Sequence, residues 1–446
     1  MEPLPAEQPA IIEGAIEELE ARYSSTNPTS RAQLSSASRV LPGGNTRAVL
    51  YYDPFPLFIE SAVDARVTDV DGHSYIDFTN DMTAGFYGHS NPVILAAIRS
   101  ALDNGISFGG PHQHEMALAE AICSRFMSID RVRFCNSGTE ANLLAMGLAR
   151  AATGRPLVLA FRGAYHGSLA SYSNTDAPLN VDIPQMRFAR FNDEQDVRRV
   201  LEKDGAQIAA IIVEPMMGSG GGILADRAFL AALRAMADEC GTLLIFDEVV
   251  TARLFPGGLQ DLVQVRADLT TLGKSLGGGL TFGAFGGRAQ LMDRLDPSRP
   301  GAILHGGTFN NNVLTMIAGH IGLTEVATVE ALQAVNSRGD KLRHKLLEVA
   351  KERRTALSIG GHGSILSLHF QPIAPQNPAE ITTTPKQRKL IHFDMLLRGF
   401  YVPRRGTINL SLATSGEDCE AFLEAFAGLL DRYSTLLPRD EASAKA

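Results

Sequence analysis

The sequence predicts an α/β protein built on a mainly parallel sheet with a smaller α+β unit beside it, and three observations carry that expectation. Apolar runs without polar alternation, LVLAF (157–161), IAAIIV (208–213), TLLIF (242–246) and LTTL (269–272), are what strands buried on both faces look like. Helical stretches such as ANLLAMGLARA (141–151) and AFLAALRAMADEC (228–240) alternate with them, as the crossovers of a parallel sheet require. The chain has 446 residues, 45% of them hydrophobic, which is enough for more than one packed unit.

In chain order, residues 11–38 carry a helical apolar pattern through Ile12, Ala15, Ile16, Leu19 and Tyr23. The Gly/Pro-rich LPGGNTR (41–47) interrupts it, and strand-like pieces follow at 51–59 and 65–68. Residues 1–78 therefore read as an N-terminal arm plus part of the smaller unit, and the strand–helix alternation assigns 79–322 to the large unit. The remainder, 323–446, begins with a long amphipathic helix and passes through the proline-rich QPIAPQNPAE (371–380). It then runs through strand-like YVPRRGTINLSL (401–412) to a last helix at 417–433.

Composition narrows the function. Lys and Arg total 41 against 49 Asp and Glu, so a net charge of -8 repels polyanions, and nucleic acid is not an expected partner. The longest aliphatic stretches, such as 208–213, fall far short of the roughly 20 apolar residues that cross a bilayer, so no membrane role is expected. The N-terminus is acidic and lacks the basic region and apolar core of a signal peptide, which points to the cytoplasm. Cys123, Cys135, Cys240 and Cys419 form no CxxC pair and read as reduced. No metal is expected: His112 and His114, with Glu115 beside them, are two apart, share no helix face and have no second ligand pair.

Three motifs carry chemistry. In FCNSGTEAN, a strand runs into Ser137, Gly138 and Thr139 and then a helix, an arrangement suited to an anion, although a capped helix start is the commoner use of such a segment taken alone. Gly273-Lys274-Ser275 mimics the end of a nucleotide-binding loop, but its required first glycine is Asp268. Lys274 instead follows the apolar strand LTTLG, where a desolvated amine can form a Schiff base. TLLIFDEVV drives another strand into Asp247 and Glu248, and a carboxylate at a buried strand end needs a cationic partner, either Arg253 or a protonated heterocycle. An anion cup, a strand-end Asp and a strand-end Lys together match the phosphate, ring nitrogen and aldehyde of pyridoxal 5'-phosphate. Other residues fit packing better: His166 reads as a hydrogen-bonded structural histidine and Met216-Met217 as core. Gly218-Ser219-Gly220 lacks the flanking glycine of a nucleophile elbow, which excludes that hydrolase motif.

LPGGNTR, GHSNP, NSGTEAN, AYHGS, VEPMMGSGG, FDEVVTARL, TLGKSLGGGLTFGAFGG and GGTFNNNVLTM stand in order along nearly the whole chain. With them the sequence resembles the class III, fold-type I pyridoxal-phosphate aminotransferases, in the branch holding glutamate-1-semialdehyde aminomutase and the β-phenylalanine (β-amino acid) aminotransferases. The resemblance implies a seven-stranded, mainly parallel sheet in the large domain, a small domain from both chain ends, and a homodimer with shared sites. It implies that Lys274 binds the cofactor aldehyde and relays the proton, that Asp247 pairs with the ring nitrogen, and that Ser137, Gly138 and Thr139 hold the phosphate. Tyr165 and Val249 would cover the two ring faces, Thr308 would reach the neighbouring subunit's phosphate, and Glu214 would lie close to the cofactor network.

Arg47 and Arg405 match positions that receive carboxylates in the β-amino acid enzymes, with Arg404 one residue from the second. The expected activity is ping-pong amino transfer from a β-amino acid to a 2-oxo acid such as 2-oxoglutarate. The alternative is glutamate-1-semialdehyde aminomutation, from which the segment Gly307-Thr308-Phe309-Asn310-Asn311-Asn312 departs. Decarboxylases and racemases share the same cofactor equipment.

Overall fold

The computed structural model describes residues 8–167 and 185–440. Its centre is a seven-stranded sheet in the order Arg131–Cys135, Gly283–Gly287, Leu269–Gly273, Leu243–Asp247, Ile208–Val213, Leu157–Phe161, Met186–Ala189. Neighbours pair in parallel except around Gly283–Gly287, which is antiparallel to both strands beside it.

The apolar runs explain this placement. Leu157, Leu159 and Phe161 face one side of the sheet, among side chains of the helices Glu194–Asp204 and Arg227–Cys240, while Val158 and Ala160 face the other, with helix Gly138–Thr153. Alternate residues of a strand point to opposite faces, so a strand with helices on both sides must be apolar at every position. Ile208–Val213 meets that demand with all of its residues buried.

Both ends of the chain build a second region. A four-stranded sheet orders Ile59–Val63, Arg66–Asp69, Ser74–Asp77 and Phe400–Tyr401, the last parallel to its neighbour with Phe400 beside Ile76. The N-terminal helix Gln8–Thr26 lies on helix Pro385–Leu397: the Tyr23 and Phe393 rings are 5.2 Å apart and Lys389 pairs with Glu20 at 2.6 Å. Ser358–His362, Ile365–His369 and Thr407–Asn409 form a three-stranded sheet; helix Val329–Glu352 packs on it, and helix Gly416–Arg432 packs against that helix.

Three local expectations change. The helical pattern at 11–38 is two helices, because Pro28 removes an amide donor and opens a new helix, Pro28–Ala37. The piece at 51–59 is extended but pairs with no strand until Ile59; Pro54 and Pro56 deny it ladder donors, and Tyr52, Phe55 and Leu57 anchor it by burial instead. Ser74–Asp77 and the glycine-rich Gly283–Gly287 are strands that composition disguised. No single helix among the described residues is long and apolar enough to cross a membrane.

Gly283, at the start of Gly283–Gly287, lets another segment approach: a Cβ there would collide with the backbone carbonyl of Ser137. Gly283→Ala is therefore expected to destabilise the chain by about 1–3 kcal/mol through overpacking. A thermal scan should show a midpoint several degrees below the natural protein, and an unchanged midpoint would remove the claim.

Candidate active site

Four neighbouring parallel strands end at one edge of the sheet, and each delivers a residue there. Ile208–Val213 is followed by Glu214, Leu243–Asp247 ends on Asp247, Leu269–Gly273 is followed by Lys274, and Leu157–Phe161 leads through a turn to Tyr165 and His166. Two antiparallel pairings separate Arg131–Cys135 from Leu269–Gly273, so it runs in the same direction and brings Ser137, Gly138 and Thr139 to that edge as well. The carboxyl ends of strands are where open α/β sheets bind ligands.

Asp247 is the most tightly held of these groups. Its Oδ2 accepts from Asn142 Nδ2 at 2.8 Å and from His166 Nδ1 at 2.6 Å, and its Oδ1 accepts from the Val249 N–H at 3.0 Å. Asn142 is fixed in turn: its Nδ2 also donates to the His166 carbonyl (3.1 Å) and its Oδ1 accepts from Thr271 Oγ1 (2.6 Å). All four side chains are buried. Arg253, the alternative partner for Asp247, points elsewhere, onto the Phe86 ring at 4.2 Å and to Ser364 Oγ at 3.1 Å.

Lys274 leaves its strand with φ +50°, and its Nζ donates to the Met82 carbonyl at 2.6 Å. Burial lowers its pKa to about 8; Asp81 opposes the shift, Arg47 adds to it, and Asp247 and Glu214 oppose it. Met82 belongs to an unusual turn. Asn80, Asp81, Met82 and Thr83 all have φ between +42° and +79°. Left-handed non-glycine residues cost about 1–2 kcal/mol each, so the turn needs support. Asp77 Oδ1 supplies it by accepting from the N–H groups of Thr79 (2.8 Å) and Asn80 (2.9 Å).

Glu214 ties two loops together, accepting from the Tyr165 N–H at 3.0 Å and the Gly218 N–H at 2.9 Å. Burial raises its pKa to about 7, with His166 pulling it down and Asp247 pushing it up. Ser137 caps helix Gly138–Thr153 through its Oγ, which accepts from the Glu140 N–H at 3.1 Å. The backbone N–H groups of Gly138 and Thr139 have no hydrogen-bond partner among the described residues, as the first turn of a helix leaves them. A Cβ on Gly138 would come within 2.9 Å of Val249 Cγ2, so the cup and Val249 are in direct contact.

The two arginines reach this group from opposite ends of the sequence. Arg47 Nη1 lies 2.5 Å from Asp81 Oδ1. Arg405 Nη1 donates to Ser219 Oγ at 2.8 Å, next to the Gly218 that Glu214 holds, and is within electrostatic reach of Tyr165. Arg404 instead acts on the buried His392, which separates the two neighbours. Thr308 stands apart in this chain, in a cleft of about 1040 Å³ with Ile106, Phe108, Met116 and Phe309. His112 Nε2 is bonded to the Asn311 carbonyl at 2.7 Å, and no cluster of three metal-ligating side chains occurs among the described residues. Sequence reasoning missed Asn142, Thr271, Asp81, Met82 and Ser219. Only Asn142 carried a signal, as a polar residue on the inward face of an apolar helix. A first-turn amide cup, a buried carboxylate and an amine of lowered pKa at one strand edge fit pyridoxal phosphate.

Comparisons with known proteins identify the family. The family model for class-III aminotransferases matches residues 50–424. An aminotransferase of Schizosaccharomyces pombe is 44% identical over 426 residues, covering 95% of this chain and 97% of that one. The β-phenylalanine transaminase of Variovorax paradoxus is 41% identical over 431 residues, covering 96% and 99%. A crystal structure of β-phenylalanine aminotransferase from the same organism matches with a TM-score of 0.93 over 96% of this chain and 99% of that one. A transaminase solved with PLP bound is 31% identical, with a TM-score of 0.84 over 94% and 99%. Glutamate-1-semialdehyde 2,1-aminomutases are among the relatives at 32–36% identity.

The lowered pKa of Lys274 makes a direct prediction. An ordinary lysine amine titrates near 10.4, whereas Lys274 is half neutral at about pH 8. In the cofactor-free protein its acylation rate should rise through that pH, ahead of the other lysines, as read by peptide mass spectrometry. A profile climbing only near pH 10 would refute the shift.

Proposed function

The chain belongs to the class-III aminotransferases, and from that premise we propose that it binds pyridoxal 5'-phosphate and moves an amino group from a β-amino acid to a 2-oxo acid such as 2-oxoglutarate, by ping-pong. The cofactor, when bound, supplies an electron sink and an aldehyde carbon that carries the amino group between the two substrates. Ser137, Gly138 and Thr139 hold its phosphate through N–H and hydroxyl groups, Asp247 keeps its ring nitrogen protonated, and Tyr165 and Val249 cover its faces. Glu214 keeps the loops bearing Tyr165 and Gly218 closed over the site. Lys274 Nζ, neutral at mildly basic pH, would carry the proton between the amine-bearing carbon of the donor and the carbon that takes over the amino group, and in the opposite sense in the second half-reaction.

One observation carries the substrate class. Two arginines from distant segments flank the Lys274 group, Arg47 through Asp81 and Met82, Arg405 through Ser219 and the Glu214 loop. A guanidinium suits a bidentate carboxylate. Two of them give one receptor for the carboxylate of the β-amino acid and one for the second carboxylate of a dicarboxylic acceptor. The β-phenylalanine transaminase of Variovorax paradoxus, at 41% identity over nearly the whole chain, supports the same donor class.

We infer a homodimer working in the cytoplasm. Support for the pairing comes from the cleft around Thr308, where Ile106, Phe108, Met116 and Phe309 are 45–63% exposed, with Leu304 nearby in sequence 88% exposed. An apolar surface of that kind calls for a partner. Thr308 would then complete the phosphate site of the neighbouring copy.

The visible absorption of the protein loaded with pyridoxal phosphate tests the function. Its band should bleach on adding β-phenylalanine and return with 2-oxoglutarate. A band that ignores β-amino acids but responds to glutamate-1-semialdehyde would move the protein to the aminomutases, and no band after reconstitution would remove the cofactor. Sedimentation should give about twice the 47.9 kDa chain mass. Full activity in a monomer would defeat the shared site.

A further inference from the structure

The geometry points to Asp81 as an internal competitor for the substrate carboxylate: its own carboxylate occupies the guanidinium of Arg47 until a substrate carboxylate displaces it. The inference rests on the reading of Arg47 as a carboxylate receptor and adds what that receptor holds between substrates.

Arg47 Nη1 and Asp81 Oδ1 are 2.5 Å apart, and the side chains are 44% and 52% exposed, so a carboxylate from solution reaches the pair. The two residues come from separate segments, 34 positions apart, and no shared helix or strand brings them together. Their contact depends on the left-handed turn Asn80–Thr83. Anchored by Asp77, that turn presents Asp81 to Arg47 and the carbonyl of Met82 to Lys274. Backbone strain held in place by its surroundings is a mark of function. Here it sets an internal carboxylate on the arginine beside the reactive amine.

The exchange follows from charge balance. A substrate carboxylate replaces the Asp81–Arg47 pair with an equivalent one, so no unpaired guanidinium is ever left facing Lys274. A ligand without a carboxylate finds Arg47 already neutralised and gains nothing from it. Asp81 therefore weakens binding of every carboxylate that uses Arg47 by a common factor, and hastens its departure by returning. That suits a site which must release one carboxylate before it takes the next.

Calorimetric titration of the full-length, cofactor-loaded protein separates these claims, using 3-phenylpropionate, which lacks an amine and cannot react, and its neutral amide. Asp81→Asn keeps a residue that tolerates the left-handed conformation, so the turn survives. It should bind 3-phenylpropionate about two- to fivefold more tightly, which is ~0.4–1 kcal/mol at 1.4 kcal/mol per tenfold and the range of a solvent-facing ion pair. Arg47→Gln should weaken the same ligand at least as much, and the amide should bind all three proteins alike. If Arg47→Gln weakens 3-phenylpropionate but Asp81→Asn does not tighten it, or tightens the amide equally, the role of Asp81 is overturned and the receptor stands. If Arg47→Gln changes nothing, the receptor reading falls and the role of Asp81 with it.

Discussion

A carboxylate sealed at the end of an apolar strand must be surrounded by donors, and the burial of Asp247 organises everything near it. Three N–H groups converge on its oxygens, from Asn142, His166 and Val249. Each is chained to a candidate cofactor contact. Asn142 lies little more than one helical turn beyond the cup that begins at Ser137, His166 directly follows Tyr165, and Val249 touches Gly138. Thr271, which holds Asn142, stands opposite Asp247 in the next strand, three residues before Lys274. Satisfying one buried charge thus fixes the Ser137–Thr139 turn, Tyr165, Val249 and the Lys274 amine relative to one another. A buried network of this kind is stiff because any member left unpaired is costly.

Around this rigid centre the backbone is strained. Lys274 is itself left-handed, and the carbonyl that receives its amine comes from a turn of four left-handed residues. A relaxed chain would move both away. The ladder of Leu269–Gly273 on one side and the Asp77 carboxylate on the other hold them in place. Rigid hydrogen bonding aligns the groups around Asp247, while a left-handed backbone positions the Lys274 amine.

The parts of this arrangement visible in the sequence were those encoded by neighbours in the chain. Unbroken apolar runs announce doubly covered strands, and a charged residue at the end of such a run, Asp247 or Lys274, stands out at once. The supports did not stand out, because they are made between residues far apart. Asn142 and Asp247 are separated by 105 positions and Arg405 and Ser219 by 186. Nor does NDMT look like a left-handed turn, since it contains no glycine; tertiary contacts impose that conformation. The strand Gly283–Gly287 was concealed for the opposite reason. Its glycines serve close approach to the backbones of Ser137, Arg131 and Asp268, and so mimic a loop.

The meeting of the two chain ends in one sheet has a consequence for synthesis. Ser74–Asp77 emerges early, yet its parallel neighbour Phe400–Tyr401 follows more than three hundred residues later, and the N-terminal helix waits as long for Pro385–Leu397. The large sheet can assemble while the ribosome is still translating, because its strands lie between residues 131 and 287. The first eighty residues cannot. Their apolar side chains, Tyr23 and Phe78 among them, lack native neighbours such as Phe393 and Phe422 until those residues have been made. Long-range pairings of this sort fold slowly and leave sticky surface exposed meanwhile. A step exposed to aggregation is therefore the closure in which the segments beyond residue 318 return to cover those before residue 80.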